Sequence, residues 1–287
     1  MVGEGRGDST NVRSGQSEMS GSPAGGSTGD DLDSCTSAMR RAYGPRSLFF
    51  VLKPEEIERA LVVTAHPDDV DFGAAGTVAV LTDAGVEVTY CLVTDGEAGG
   101  FDQTVSRTRM AAIRREEQTK AAAEVGVTEL VFLGHADGGV EFGMELRHEI
   151  SRVIRQFRPQ VVITQSPHIN LDSVYGSHAD HVATGQGTWA AVYPDARNPF
   201  AFPELLTSGF EPWSVDEIWI MLADATDTID ISDQLDRKIR ALLCHVSQHR
   251  DPAGLEERVR EWYLQLGRDG GLAEGRSAER FRVVDAR

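Results

Sequence analysis

The chain has 287 residues, 40% of them hydrophobic and 25% charged, which is the composition of a globular protein with its own core. Its formal net charge of −17 disfavours nucleic acids and anionic membranes as partners, because both attract basic surfaces. No run reaches the roughly 18 to 20 apolar residues that span a bilayer, and a signal-peptide pattern is absent, so we expect a cytoplasmic protein.

The first part of the chain differs in composition from the rest. Residues 1–45 are rich in Gly, Ser and Asp and have almost no periodic hydrophobic positions. Such a segment cannot bury enough apolar surface to offset the entropy of ordering it, so we predict a disordered extension. Residues 46–287 are predicted to form a single domain that carries the function.

From about residue 58 onward, short β-branched runs alternate with helical patterns. The predicted strands are 59–66, 87–96, 129–134, 160–167, 217–221 and 227–232. The predicted helices are 76–85, 105–126, 144–157, 181–193, 233–249 and 255–267. Strands that alternate with helices in this way predict a Rossmann-like α/β fold, with a mostly parallel sheet and helices on both faces.

Two short groups of His and Asp residues follow strands of this predicted sheet. The sequence AHPDD ends the first strand, and SHADH comes shortly after the fourth. Ligands of open α/β sheets bind at the carboxyl ends of the strands, so we expect the two groups to be neighbours. Together they offer six side chains that could act on a ligand: His66, Asp68, Asp69, His178, Asp180 and His181.

These residue types are suited to a catalytic metal. Catalytic zinc takes three ligands from His, Asp or Glu and leaves one position for water. The proline of AHPDD stiffens the turn, so His66 and Asp69 can face one centre while Asp68 is left free. A spare carboxylate can take a proton from water, and a histidine near a carboxylate, here His178 near Asp180, can donate to an oxyanion.

The paired motifs resemble those of the PIG-L/LmbE-like family of metal-dependent N-acetylglucosaminyl deacetylases. The resemblance covers roughly residues 58–250 and includes the segments FLGHADGGVE and CHVSQ. It implies that His66, Asp69 and His181 bind zinc, for which iron(II) could substitute. It further implies that Asp68 is the general base and that His178, steadied by Asp180, is the electrophile or general acid.

The resemblance also implies a small N-acetylated amino sugar as the substrate. Arg114 resembles the sugar-contacting arginine of the family, and its neighbour Arg115 is the alternative. Asp137 and Tyr175 are the other candidates for contacts with the substrate. Val70 and the residue after it replace the Glu-Ser of mycothiol-pathway members, which argues against a mycothiol intermediate as the substrate.

Other interpretations share parts of this pattern. An amidase for a different amide, such as a thiol-sugar conjugate, would have the same site, and a non-catalytic sugar-binding homologue would be expected to lack Asp68 or a ligand. Iron(II) oxygenases usually place HxD or HxE on an antiparallel barrel. A dinucleotide-binding oxidoreductase needs GxGxxG after the first strand, and a serine hydrolase of the α/β type needs GxSxG; neither motif is found there.

One aromatic stretch remains outside these motifs. The segment from Phe200 to Trp213 is rich in aromatic residues and proline. It suits either an interface between copies of the chain, in a homo-oligomer, or a lid over the site.

Overall fold

A computed structural model describes residues 52–171, 174–221 and 223–287. These residues form a single α/β domain around one seven-stranded sheet. The predicted disordered extension, residues 1–45, lies outside the described residues, as does the predicted start of the domain at residue 46.

The sheet has the mostly parallel arrangement that the sequence predicts. Its strands are β1 (Arg59–Thr64), β2 (Glu87–Thr94), β3 (Glu129–His135), β4 (Val161–Thr164), β5 (Glu217–Met221), β6 (Asp227–Asp230) and β7 (Ala278–Asp285). The strand order is β3-β2-β1-β4-β5-β7-β6. Strands β1 to β5 pair in parallel, whereas β7 is antiparallel to both of its neighbours.

Helices cover both faces of this sheet. They are α1 (Asp69–Gly73), α2 (Ala75–Asp83), α3 (Arg107–Glu124), α4 (Met144–Phe157), α5 (Ala179–Ala190), α6 (Pro203–Thr207), α7 (Leu235–Leu243) and α8 (Pro252–Asp269). None of these described helices combines the length and apolar character needed to cross a bilayer. The fold class predicted from the sequence is confirmed.

Strand β1 shows why the sheet is buried on both sides. Ala60 and Val62 belong to an apolar cluster that includes residues of α2 and α3. Leu61 and Val63 point to the opposite face and join a second cluster, which includes residues of α4. Side chains alternate across a strand, so an unbroken apolar run such as ALVV, residues 60–63, fills two cores at once.

The structure corrects three details of the prediction. Strand β7 was missed because charged residues interrupt its apolar positions, and one of them, Glu279, is itself buried. The helix predicted to reach residue 249 ends at Leu243, and a separate 3₁₀ turn follows at Val246–Gln248. The lid interpretation is wrong for Trp213, because its indole N–H donates to the Pro159 carbonyl at 2.7 Å. This contact lies close to the amino end of β4, whereas the two motifs follow the carboxyl ends of the strands.

The strand order places the two motifs side by side. Within the sheet, β2 and β3 lie on one side of β1, and the chain then returns to place β4 on the other side of β1. Val63 pairs with Thr164, so β1 and β4 end next to each other. This reversal of strand order is where open α/β sheets form their ligand crevice.

Candidate active site

Three side chains form a compact triangle at this edge of the sheet, and Asp69 uses a different oxygen for each of its two contacts. His66 Nδ1 lies 3.3 Å from Asp69 Oδ2 and 3.2 Å from His181 Nε2. His181 Nε2 lies 3.1 Å from Asp69 Oδ1. Atoms bound at about 2.0–2.2 Å around a tetrahedral zinc ion lie about 3.3–3.6 Å apart. The spacing of these side chains is therefore close to that of metal ligands.

Local structure brings the triangle together. His66 follows β1 in a tight turn, and its backbone N–H donates to Asp69 Oδ2 at 2.7 Å. Asp69 is the first residue of α1, so its carboxylate closes the turn that carries the histidine. His181 comes from the first turn of α5, which follows β4 in the sequence. The two motifs thus meet although their elements are distant in the chain.

The structure differs from the prediction for Asp180. Its buried carboxylate lies 3.0 Å from His66 Nε2 and accepts hydrogen bonds from the backbone N–H groups of Gly138 and Val140. The backbone N–H of Asp180, not its carboxylate, meets His178 Nδ1 at 3.2 Å. Residues two apart at the start of a helix point in different directions, so Asp180 orients His66, not His178.

Asp137 lies on the same side of His66. Its Oδ1 lies 3.3 Å from His66 Nε2, and its Oδ2 accepts the backbone N–H of Ala98 at 2.9 Å. The side chain is 9% exposed and packs against the histidine. His66, Asp137 and Asp180 form one group of potential metal donors, and His66, His178 and His181 form another. All of these sets share His66, so they are parts of one cluster.

Three carboxylates surround the His66 ring. Burial by itself lowers the pKa of His66, but hydrogen bonds to Asp137, Asp180 and Asp69 raise it to about 12. Burial raises the pKa of Asp69, yet contacts with His181 and His66 hold the pKa of that carboxyl well below its usual range. The cluster therefore favours a positive charge among its acidic groups.

Asp68 occupies a different environment from Asp69. Its Oδ2 lies 3.1 Å from Nη2 of Arg114. Burial raises the pKa of Asp68 to about 6, although the nearby guanidinium opposes this shift. A carboxyl group with a pKa near neutrality is suited to accept a proton and to return it within one reaction cycle.

The structure places Arg114, and not Arg115, at the site. Arg114 is 4% exposed, and its guanidinium donates to the carbonyl of Gly96 (2.9 Å) and to that of the turn proline. Gly96 has a φ of +65°, and a Cβ atom there would collide with this guanidinium. Arg115 is half-exposed and pairs with Asp95 at 2.7 Å. Arg114 therefore holds the Asp68 side of the turn.

His178 and Tyr175 precede α5. His178 is exposed, and its ring centroid lies 4.9 Å from that of His66 and 5.3 Å from that of His181. This histidine is accessible to a ligand that binds at the cluster. Tyr175 begins a 3₁₀ turn, Tyr175–Ser177, and its side chain lies outside the described part of the structure.

Two further residues at the site were missed by the sequence analysis. Glu97 Oε1 accepts the backbone N–H of Asp137 at 2.9 Å, and Gln118 Oε1 accepts the backbone N–H of Asp68 at 2.8 Å. Glu97 follows β2 at the same sheet edge as the two motifs, and Gln118 lies one helical turn after Arg114. The position of Glu97 after a strand end, and the spacing of Gln118 from Arg114, are signals from which both residues could have been predicted.

Comparisons with known proteins identify the family to which the chain is similar. The PIG-L family, described as GlcNAc-PI de-N-acetylase, matches residues 61–192. A diacetylchitobiose deacetylase from Thermococcus kodakarensis is 33% identical over 67% of this chain and 71% of its own length. A probable N-acetyl-alpha-D-glucosaminyl L-malate deacetylase 2 from Bacillus cereus is 32% identical over 66% of this chain and 82% of its own.

A solved structure extends the similarity to nearly the whole described fold. N,N'-diacetylchitobiose deacetylase from Pyrococcus horikoshii, in complex with its inhibitor MPG, has a TM-score of 0.77 and 28% sequence identity. The alignment covers 89% of this chain and 93% of that one. The chain belongs to the PIG-L/LmbE-like family of deacetylases.

Proposed function

We propose that this enzyme is a zinc-dependent hydrolase that removes the acetyl group from an N-acetylglucosamine-type glycoside. The observation that carries the proposal is the triangle of the His66, Asp69 and His181 side chains next to the partly buried carboxyl group of Asp68. The relatives named above act on N-acetylated glucosamine derivatives, according to their names. A net charge of −17 also suits a neutral glycoside better than a polyanion.

The donor set fits zinc. Two imidazoles and one carboxylate are a common ligand set for catalytic zinc, and iron(II) can bind the same atoms. We assign the metal to the Nδ1 side of His66, because on its Nε2 side both carboxylate oxygens of Asp180 already accept backbone N–H groups. Asp69, on the Nδ1 side, accepts the backbone N–H of His66 at Oδ2 and faces His181 with Oδ1. Carboxylates that hold the second nitrogen of a metal-binding histidine orient its ring. When bound, zinc polarises an amide carbonyl and lowers the pKa of a water molecule.

The protein groups supply the proton transfers. Asp68 takes a proton from the attacking water, and Arg114 keeps the carboxylate in place. The oxygen of that water forms the new bond to the acetyl carbon while negative charge develops on the amide oxygen. His178, which is accessible at the mouth of the site, donates a hydrogen bond to that oxygen. The C–N bond then breaks, and the amine nitrogen receives the proton held by Asp68, so acetate and a free amine leave.

Three isosteric variants test these assignments. Asp68→Asn should keep its zinc and lose about 10²- to 10⁴-fold in turnover, because only the base is removed. Asp69→Asn should lose zinc, and Asp137→Asn should retain it as the matched control. Metal content measured by mass spectrometry and acetate release from N-acetylglucosaminides provide the two readouts.

Each outcome has a separate meaning. Full turnover in Asp68→Asn would show that another group is the base. Loss of zinc from Asp137→Asn, with zinc retained in Asp69→Asn, would move the metal to the other side of His66. A zinc-loaded enzyme that releases no acetate from any N-acetylglucosaminide would point to a different amide, such as that of a thiol-sugar conjugate.

A further inference from the structure

The backbone of Asp68 has an unusual conformation. Its φ of 87° and ψ of −25° place it in the left-handed region, which is unfavourable for a residue with a side chain. Asp68 is directly followed by Asp69, yet the first carboxylate meets Arg114 and the second meets His66 and His181. A strained residue persists only when its surroundings hold it in place.

A chain of buried hydrogen bonds begins at this residue. The backbone N–H of Asp68 donates to Gln118 Oε1 at 2.8 Å. Gln118 Nε2 donates to Asp71 Oδ2 at 2.9 Å, and His245 Nε2 lies 2.7 Å from the same oxygen. Gln118, Asp71 and His245 are all fully buried. Residues of three separate elements, α3, α1 and the segment after α7, are therefore linked through hydrogen bonds to one backbone N–H.

The carboxylate in the middle sets the direction of every link. Asp71 Oδ2 accepts a hydrogen bond from Gln118 Nε2 and faces His245 Nε2, so Gln118 turns its NH₂ group toward Asp71. The oxygen of Gln118 is then left to face the N–H of Asp68. With the amide reversed, two donors would face each other at Asp68, so Asp71 selects the orientation that this backbone needs.

We propose that Gln118, Asp71 and His245 are positioning residues that hold the backbone of Asp68 in its left-handed conformation. The proposal deepens the proposed function and rests on it in one respect, namely that Asp68 is the base. A purely structural role would not require this chemistry, because apolar side chains could fill the same space without burying polar groups.

The test compares zinc-loaded, full-length variants. Gln118→Met removes the acceptor for Asp68 at similar volume. His245→Phe removes the last donor of the chain, whereas His245→Gln retains an N–H group that can reach Asp71. Val153→Ala is the control, because this residue lies in the apolar cluster on the opposite face of the sheet. The readouts are zinc per chain, kcat, KM and the exchange rate of the Asp68 amide proton measured by NMR.

The positioning role predicts a specific pattern. Gln118→Met should speed exchange of the Asp68 amide at least about tenfold and lower kcat about 10- to 100-fold, with KM and zinc content unchanged. His245→Phe should change the exchange rate and kcat in the same directions, but by smaller factors. His245→Gln should have an exchange rate and a kcat close to those of the wild type. Val153→Ala should lower the melting temperature and leave the exchange rate and kcat unchanged.

Other results would overturn the proposal. Exchange at Asp68 that is unaltered in Gln118→Met would do so, as would a fall in kcat of the same size in Val153→Ala. If Gln118→Met does not fold, equal exchange rates in His245→Phe and His245→Gln would decide against it. Faster exchange in a protein whose wild type releases no acetate would support the positioning and reject the proposed function, so the two failures are distinguishable.

Discussion

Lys238 is a fully buried lysine whose removal should strongly destabilise the fold. Its Nζ donates to Glu279 Oε1 at 2.7 Å and to the carbonyls of Asp71 (2.7 Å) and Phe72 (2.8 Å), near the end of α1. Neither side chain of the ion pair is exposed to solvent. Burial lowers the pKa of Lys238, but the Glu279 carboxylate more than offsets this, and the net shift is upward.

Lys238→Met preserves the length of the side chain and removes its charge. Removing one partner of a buried ion pair costs about 3–5 kcal/mol, because the other charge stays buried without compensation. Glu279 would still accept the backbone N–H groups of Gly76 (2.9 Å) and Thr77 (2.7 Å) near the start of α2. These two bonds partly stabilise the remaining carboxylate, so we expect a loss near the lower limit, about 3 kcal/mol.

Urea unfolding at neutral pH, followed by circular dichroism, measures this change. The single variant Glu279→Gln and the double variant Lys238→Met/Glu279→Gln complete a mutant cycle. The double variant should be more stable than the sum of the single losses predicts, because it leaves no unpaired charge. A loss below about 1 kcal/mol in Lys238→Met would show that the two buried charges do not depend on each other for their stability.

Three further predictions concern the site and its surroundings. Gly96→Ala should displace the Arg114 guanidinium and lower kcat/KM by more than about tenfold in a steady-state assay, since a Cβ atom has no room there. Arg114→Lys should impair turnover far more than Arg115→Lys, because only the first guanidinium is buried against the turn; equal effects would contradict this placement. Burial lowers the pKa of His245, but the Asp71 carboxylate more than offsets this, so the pKa lies above its usual 6.5. The contribution of His245 to the free energy of unfolding is thus complete below about pH 6.5 and is lost as the pH rises through the folded-state pKa. Urea unfolding should therefore show that the difference in the free energy of unfolding between the wild type and His245→Phe becomes smaller above pH 6.5.

The sequence predicts the fold well where burial alone determines structure. The run ALVV, residues 60–63, is apolar on both faces, which is typical of a strand inside a covered sheet. The meeting of His66 with His181 follows from the same reasoning, because both motifs come after the ends of strands. Neither inference depends on the details of side-chain packing.

The remaining features depend on directions in space that a sequence pattern does not contain. Asp180 faces His66 and not His178 because of the angle between successive residues on α5. The link from His245 through Asp71 to Gln118 joins three segments that are far apart in the chain. Spacing from Arg114 could place Gln118 near the site, but the atoms that Gln118, Asp71 and His245 join depend on how the helices pack on the sheet.

On the proposed function, a metal held by the two motifs is essential for hydrolysis of an N-acetyl group. The most direct test measures zinc content and the release of acetate and free amine from a set of N-acetylglucosaminides, before and after treatment with a chelator. We expect about one zinc per chain, equal amounts of acetate and amine, loss of activity on chelation and recovery with added zinc. Failure to bind zinc, or undiminished acetate release from protein without metal, would contradict it.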